Sequence, residues 1–214
     1  MKIAFAALAL VLTLPAPAAD DLRIEPVKAA LKAEKWDAAV EAGEKLVREA
    51  PESAEAHLWL GRAYGQKALK SSLFSQMGWA KKCKASFEKA VALDPKNVDA
   101  RVDLLQYYAN APGIAGGGMD KARAQQKALD GIDPVRGAQM SGFILLKEKK
   151  PAEAEAEYRR AVSLAPENGS AHWRLGRVLE RGGKKDDARA SYKEALRLDP
   201  TLEGAKRDLE RLGG

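Results

Sequence analysis

Two histidines and one cysteine are all the chain offers for imidazole or thiol chemistry. His57 and His172 each follow an alanine and occupy equivalent places in a pattern that recurs along the sequence. Such repetition points to packing or an inter-helix hydrogen bond, and their separation along the chain speaks against a shared metal site. Cys83 stands where four other copies of the pattern carry alanine. It is expected to be a buried small side chain and not a reactive thiol. A single cysteine excludes an intramolecular disulfide and a cysteine-based zinc or iron–sulfur centre. No nucleophile motif lies near either histidine, so no serine–histidine–acid set is expected. Acidic pairs such as Asp186-Asp187 fall at helix starts, where they complement the helix dipole and do not form a general acid–base couple. The run Gly113-Ile114-Ala115-Gly116-Gly117-Gly118 has the composition of a phosphate cradle without its context. A phosphate loop follows a strand and leads into Gly-Lys-Ser/Thr, whereas here a helix precedes and Met119-Asp120-Lys121 follows. An ordered turn opened by Pro112-Gly113 is expected, with Asp120 as the cap of the next helix. Gly113, Gly116, Gly117 and Gly118 are kept as a candidate accessory loop. No catalytic set, metal site or cofactor is expected, and the chain is read as a non-enzyme.

The chemistry that remains is recognition. Four triplets spaced i, i+4, i+8 each mark one face of a helix. They are Leu58, Arg62, Gln66; Val102, Gln106, Asn110; Gln139, Phe143, Lys147; and Trp173, Arg177, Arg181. Trp173 is the expected exposed anchor, since tryptophan and arginine are enriched at binding hot spots. Arg62, Arg174, Arg177 and Arg181 would favour an acidic or C-terminal carboxylate group on a partner. A second basic segment, Lys67 to Lys84, interleaves five lysines with Leu73, Phe74, Met77 and Trp79. Two readings fit it. The apolar side chains pack the segment back on the protein while the lysines stay in water, which is the favoured expectation; or the segment meets an acidic partner or a membrane surface.

The elements that position these residues are repeats. A small residue, a larger one four later, a third core residue three later and a proline five later recur five times. The copies are Ala39, Gly43, Leu46, Pro51; Cys83, Phe87, Ala90, Pro95; Ala122, Gln126, Leu129, Pro134; Ala154, Tyr158, Ala161, Pro166; and Ala188, Tyr192, Ala195, Pro200. The first three positions share a helical face and the proline stops that helix. Upstream lie His57-x-x-Leu60-Gly61-x-x-Tyr64 and His172-x-x-Leu175-Gly176-x-x-Leu179. Ala138-x-x-Ser141-Gly142-x-x-Leu145 is a weaker copy, and Arg101-x-x-Leu104-Leu105-x-x-Tyr108 lacks the glycine. A glycine in a helix interior costs about 1 kcal/mol against alanine. Its recurrence implies the close approach of a neighbouring helix.

Each unit therefore reads helix, turn, helix, proline, and Pro166 and Pro200 stand 34 residues apart. This resembles the tetratricopeptide repeat, with its W-x₂-L-G-x₂-Y, A-x₃-F and P pattern on a 34-residue period. Histidine or another residue stands where that family usually has tryptophan. The resemblance implies an all-α, right-handed α-solenoid of about five helix-turn-helix units with a C-terminal capping helix. It also implies a concave groove, lined by the leading helices, that holds a peptide or a partner helix. The asparagine and lysine pattern of the family's chaperone-binding carboxylate clamp is absent. The units are expected at about 20–53, 54–97, 98–134, 135–168 and 169–202, with the cap at 203–214. The leading helix of the first unit, Pro26 to Lys35, is expected to be short. Pro51 and Pro95 are 44 apart and Pro95 and Pro134 are 39 apart, so insertions are placed at 66–79 and 111–118. Both fall between the two helices of a unit, where loops often carry function.

Residues 1–18 read as a secretory signal peptide: Lys2, a run from Ile3 to Leu14 broken by Thr13, then small residues, with cleavage after 18 or 19. The mature protein is therefore expected to be exported, periplasmic or secreted, without an integral membrane segment. Lys+Arg 36 against Asp+Glu 30 gives +6, but the signs are interspersed, so nucleic acid is not an expected partner. The expected function is a non-catalytic protein–protein interaction scaffold or adaptor in cell-envelope assembly, secretion or maturation, with no cofactor. Two alternatives stay open: a small-ligand or anion-binding protein, or an enzyme, built on the inserted loops; and a self-associating structural repeat protein. Oligomeric state is left open.

Overall fold

A computed structural model describes residues 18–213. The expected leader, residues 1–18, lies outside the described residues except for its last position. Among the described residues there are eleven α-helices and no strand. They are α1 (Ala18–Lys32), α2 (Trp36–Glu49), α3 (Ala54–Lys70), α4 (Leu73–Leu93), α5 (Val98–Asn110), α6 (Met119–Ile132), α7 (Pro134–Lys147), α8 (Pro151–Leu164), α9 (Gly169–Arg181), α10 (Lys185–Leu198) and α11 (Glu203–Arg211). A short 3-10 turn, Gly113–Ala115, precedes α6. Successive helices pair into five antiparallel hairpins, and α11 packs on α10 and α9. The result is a right-handed α-solenoid.

Local sequence sets the boundaries. At four unit boundaries a polar side chain caps the next leading helix, three of them after the unit-ending proline and Asp133 just before it. Ser53 accepts from the Ala56 amide at 3.2 Å, Asn97 from Ala100 at 2.8 Å, Asp133 from Arg136 at 2.9 Å and Asn168 from Ala171 at 3.0 Å. The histidines complete the same turns: His57 and His172 Nε2 lie 2.9 and 2.8 Å from the carbonyls of Pro51 and Pro166. Arg101 Nε does the equivalent in the third unit, donating to Pro95 O at 2.6 Å. Within the first, fourth and fifth units a left-handed residue makes the tight turn, at Glu34 (φ 55°), Lys149 (φ 61°) and Gly183 (φ 78°).

Packing explains the helix glycines. A Cβ on Gly61 would lie 2.5 Å from the Phe87 ring, on Gly142 2.8 Å from the Tyr158 ring, and on Gly176 2.5 Å from the Tyr192 ring. The aromatic of each trailing helix thus lies directly on the glycine of its leading helix.

Three expectations need correction. Residues 66–79 are not a loop: α3 gains length, α4 reaches 21 residues, and only Ser71 and Ser72 lie between them. The insertion contains no proline, and its one glycine, Gly78, is carried inside α4, so nothing in it stops a helix. The first leading helix is not short either. It runs 15 residues with Pro26 inside it, because proline's fixed φ is helical and only one backbone bond is lost. Finally, α6 is capped at Gly118, and Asp120 lies inside its first turn.

Candidate functional site

The four triplets do not lie uniformly on an open groove. Their first members sink into the stack: Leu58 is 1% exposed, Val102 6% and Gln139 1%. Neighbouring leading helices cover them, since α1 meets α3, α5 meets α7 and α7 meets α9. Leu58 and Gln139 are therefore not partner-binding residues. Trp173 is corrected as well. It is half-buried beneath α11, its ring rests where a Gly204 Cβ would lie 2.5 Å away, and its Nε1 donates to Asp208 Oδ2 at 2.8 Å. It anchors the cap. The second members Arg62, Gln106 and Phe143 are half-buried, and the third members Gln66, Asn110, Lys147 and Arg181 are exposed. The strip thus opens only along the C-terminal halves of the leading helices.

Two cavities occupy that strip. The larger, of about 900 Å³, lies between α3 and α5 with α4 as its floor. The backbones of α3 and α5 make no contact comparable to that of the other neighbouring leading helices. Both insertions reach this cleft: Leu69, Leu73 and Met77 from the helical hairpin, Pro112 and Ala115 from the glycine loop. Gln66, Gln106 and Asn110 also line it, with Asn110 Nδ2 donating to Gln106 O at 2.7 Å. Arg62 spans the cleft to Asp103 Oδ2 at 2.6 Å and Asp99 Oδ2 at 3.3 Å, and lies over the Trp59 ring at 4.5 Å. Burial would lower its pKa, but the two carboxylates outweigh that and raise it. Burial likewise holds Asp103 above its usual value against the pull of Arg62. Arg62 is thus committed inside the protein, contrary to the expectation that it reads an acidic partner. Burial pushes the Cys83 thiol up to about 12, which leaves it protonated and inert on the cleft floor.

The glycine loop is built from specific bonds. Tyr107 Oη donates to Ala115 O at 2.8 Å, the Gly118 amide to Tyr108 O at 2.9 Å, and the Gly117 amide to Pro112 O at 3.2 Å. Gly116 has φ 86°, a left-handed conformation that favours glycine. A Cβ on Gly117 would fall 1.8 Å from Ala111 O. Gly113 and Gly118 flank the turn and meet no side chain closely.

The smaller cavity, of about 450 Å³, lies over α7 and α9. Lys147, Arg174, Arg177 and Arg181 line it beside Phe143, Met140 and Tyr158, and no carboxylate does. Lys147 Nζ rests over the Phe143 ring at 5.7 Å. Arg177 sits over Trp173 at 5.4 Å and 3.9 Å from Asp208. Arg174 is half-buried, and its buried Nε has no hydrogen-bond acceptor among the described residues. Burial lowers its pKa, and Arg136 and Arg177 add like-charge repulsion. Gln106 lines both cavities, so the apolar cleft and the basic pocket stand on either side of it.

Sequence reasoning missed Asp103, Met77 and Tyr107 as cleft residues. The signal was present: both insertions occupy the intra-unit turn of adjacent units, which places them side by side in a stacked array. In the Lys67–Lys84 segment, Trp79 packs on Tyr64 at 5.8 Å as expected. Leu73 and Phe74 do not pack back on the stack, being 81% and 96% exposed. Among the described residues no helix is long and apolar enough to cross a membrane, and no cluster of potential ligands could hold a metal ion.

The repeats have relatives. A tetratricopeptide repeat profile matches residues 27–71 and 144–203, and a second matches 67–97. A thermophilic TPR protein of Thermus thermophilus superposes with a TM-score of 0.68 at 19% identity, covering 90% of this chain and 98% of that one. PilF of Pseudomonas aeruginosa gives 0.60 at 18% identity, covering 91% and 89%. Comparison with curated protein sequences gives no match. At these identities the solved structures share the fold. The repeat profiles together span more than half of the sequence, and the chain belongs to the tetratricopeptide repeat family.

Proposed function

We propose that this protein is a non-catalytic adaptor that holds an acidic segment of a protein partner on its open strip. Tetratricopeptide repeat proteins are in general protein-binding scaffolds. The observation that carries the acidic preference is the basic pocket: four cations, no lining carboxylate, and a half-buried Arg174 whose buried Nε lacks an acceptor among the described residues. A buried Nε–H without an acceptor is costly, and a carboxylate offers it a charge-assisted bond in bidentate geometry. The residue roles follow from placement. Arg174 supplies the buried donor, Arg177 and Arg181 the exposed charge at the mouth, and Phe143 an apolar wall.

The apolar run at the N-terminus supports export to a periplasmic or extracellular space, and hence a role in envelope assembly, secretion or maturation. A photocrosslinking residue at position 181, used in the native cell, tests the reading. Capture of an acidic protein, lost in an Arg174→Gln/Arg177→Gln variant that still folds, is the expected result. Capture that is unchanged in that variant would refute the role of the pocket. The same cells report the compartment: the protein should fractionate outside the cytoplasm with its N-terminus at residue 19 or 20.

A further inference from the structure

Four of the five exposed large apolar side chains of the described residues belong to the two insertions: Leu69 (69%), Leu73 (81%), Phe74 (96%) and Ile114 (79%). Only Leu164 lies elsewhere. No packing need of the fold accounts for a phenylalanine left in water at the start of α4. Leu69 and Leu73 line the α3–α5 cleft; Phe74 and Ile114 follow and precede its lining residues Leu73 and Ala115 in the chain but stay outside its lining. Inside, Met77, Ala80, Phe87 and Tyr107 continue the apolar surface. The charges there neutralise one another, since Arg62 pairs with Asp103. Along the rest of the strip α5, α7 and α9 stand side by side in contact; here two leading helices are held apart around an open, apolar space.

We infer that this cleft is a docking site for apolar side chains of the same partner whose acidic group enters the basic pocket, so that the ligand is an amphipathic segment with apolar and acidic ends. The inference rests on the proposed reading of the basic pocket. Charge selects the occupant. The cleft carries no free charge and shares Gln106 with a neighbouring pocket lined by four cations and no carboxylate. Neighbouring leading helices stand about 10 Å apart, so the two cavities are separated by of the order of 20 Å. An extended segment covers that in about six residues. A membrane surface fits less well. Leu69 and Leu73 line a concavity, and lysines beside them are engaged within the protein: Lys67 pairs with Asp37 at 2.6 Å, Lys70 lies over Trp36 and Lys82 over Trp79.

Selection from a random 16-residue peptide display library against the folded protein tests this. Wild type should enrich peptides with two or more large apolar residues followed or preceded, about six positions away, by aspartate or glutamate. Leu73→Ser/Phe74→Ser changes only exposed side chains and should leave the fold intact. It should weaken a selected peptide at least tenfold in fluorescence anisotropy, whereas Leu164→Ser should not. Selected peptides that are acidic without an apolar cluster would overturn the cleft and leave the basic pocket standing. Apolar peptides without acids would overturn the basic pocket. The absence of any enrichment would overturn both. Vesicles containing anionic lipid that bind wild type but not Leu73→Ser/Phe74→Ser would assign these apolar side chains to a membrane and overturn the cleft. So would self-association in sedimentation that the same variant abolishes.

Discussion

Gly176→Ala sets two effects of known size against each other. Helix propensity favours alanine by about 1 kcal/mol. Against this, the new Cβ would stand 2.5 and 2.6 Å from Cε1 and Cδ1 of Tyr192, and 3.2 Å from Ala188 O. That is about 1 Å inside a normal carbon–carbon contact. Tyr192 has nowhere to go: it is fully buried, and its hydroxyl donates to Glu180 Oε2 at 2.8 Å. Glu180 is itself held by Arg211 at 2.9 Å. Overpacking of this kind costs about 1–3 kcal/mol, and a hydrogen bond to a charged acceptor contributes about 1.5–3 if it breaks. The net expectation is a loss of about 2 kcal/mol, or about 4–8 °C in melting temperature for a chain of this length. Urea denaturation and calorimetry read it directly. In a Tyr192→Ala background the clash is gone, and the same substitution should become stabilising, so the cycle has a coupling of opposite sign to propensity. Gly78→Ala, in α4 with nothing within 4 Å of the new methyl, should stabilise by about 0.5–1 kcal/mol. If Gly176→Ala stabilises wild type as Gly78→Ala does, the ring is not the reason for the glycine, and the packing account fails for Gly61 and Gly142 too.

Gly117→Ala should open the glycine loop, because the methyl cannot coexist with Ala111 O at 1.8 Å. Hydrogen exchange should show the Gly118 amide losing its protection from Tyr108 O, while amides of α8 to α10 are unchanged. Trp173→Phe should cost about 1–2 kcal/mol through the lost bond to Asp208, yet leave binding to the selected peptides unaltered, since the indole lies under the cap and lines neither cavity. The cap should also respond to acid. Bonds from Arg211, then from Tyr192, hold Glu180 below its usual 4.5; Asp208 is raised by burial but pulled below its usual 3.8 by bonds from Trp173 and Arg211. Both are depressed on folding, so their stabilisation is complete above the usual values and is lost as pH falls through the lower folded ones. The urea midpoint should drop below pH 4.5 in wild type and drop less in Arg211→Gln.

The repeat was legible because its constraints are local and recur. A small residue under an aromatic, a cap after a proline and a helix-stopping proline each act within a few positions, so Ala154, Tyr158 and Pro166 spell their geometry in the chain. The depth of a groove position was not legible. Leu58 and Gln66 share a helical face by periodicity, yet one is buried and the other wet, because the curvature of the stack closes over the N-terminal halves of the leading helices. Trp173 failed as an anchor for a similar reason: its cover comes from Gly204 and Asp208, some thirty residues away, and no spacing rule encodes that contact. The insertions were located by counting between prolines, but their helical form depended on an absence of breakers, and their convergence on one cleft depended on which units stack.

The position of the basic pocket within the stack gives its unpaired charge a mechanical meaning. One apolar cluster runs from Ile24 in α1 to Ile144 in α7, and a second from Ala154 in α8 to Tyr192 in α10. A third, smaller cluster joins α7, α8 and α9 through three buried alanines, Ala138, Ala161 and Ala171, with Val135 and Val162 packed against them. Each alanine buries one methyl, worth about 0.8 kcal/mol, where a leucine or phenylalanine would contribute two to three times that. Arg174 lies close enough to Arg136 and Arg177 to feel like-charge repulsion from both. In a repeat array, stability is the sum of unit terms and interface terms, so a weak interface lets the units on either side open separately. An acidic group bound at Arg174 would relieve that repulsion. Under the proposed function such a ligand would therefore add cohesion between α7 and α9, whose side chains line the pocket.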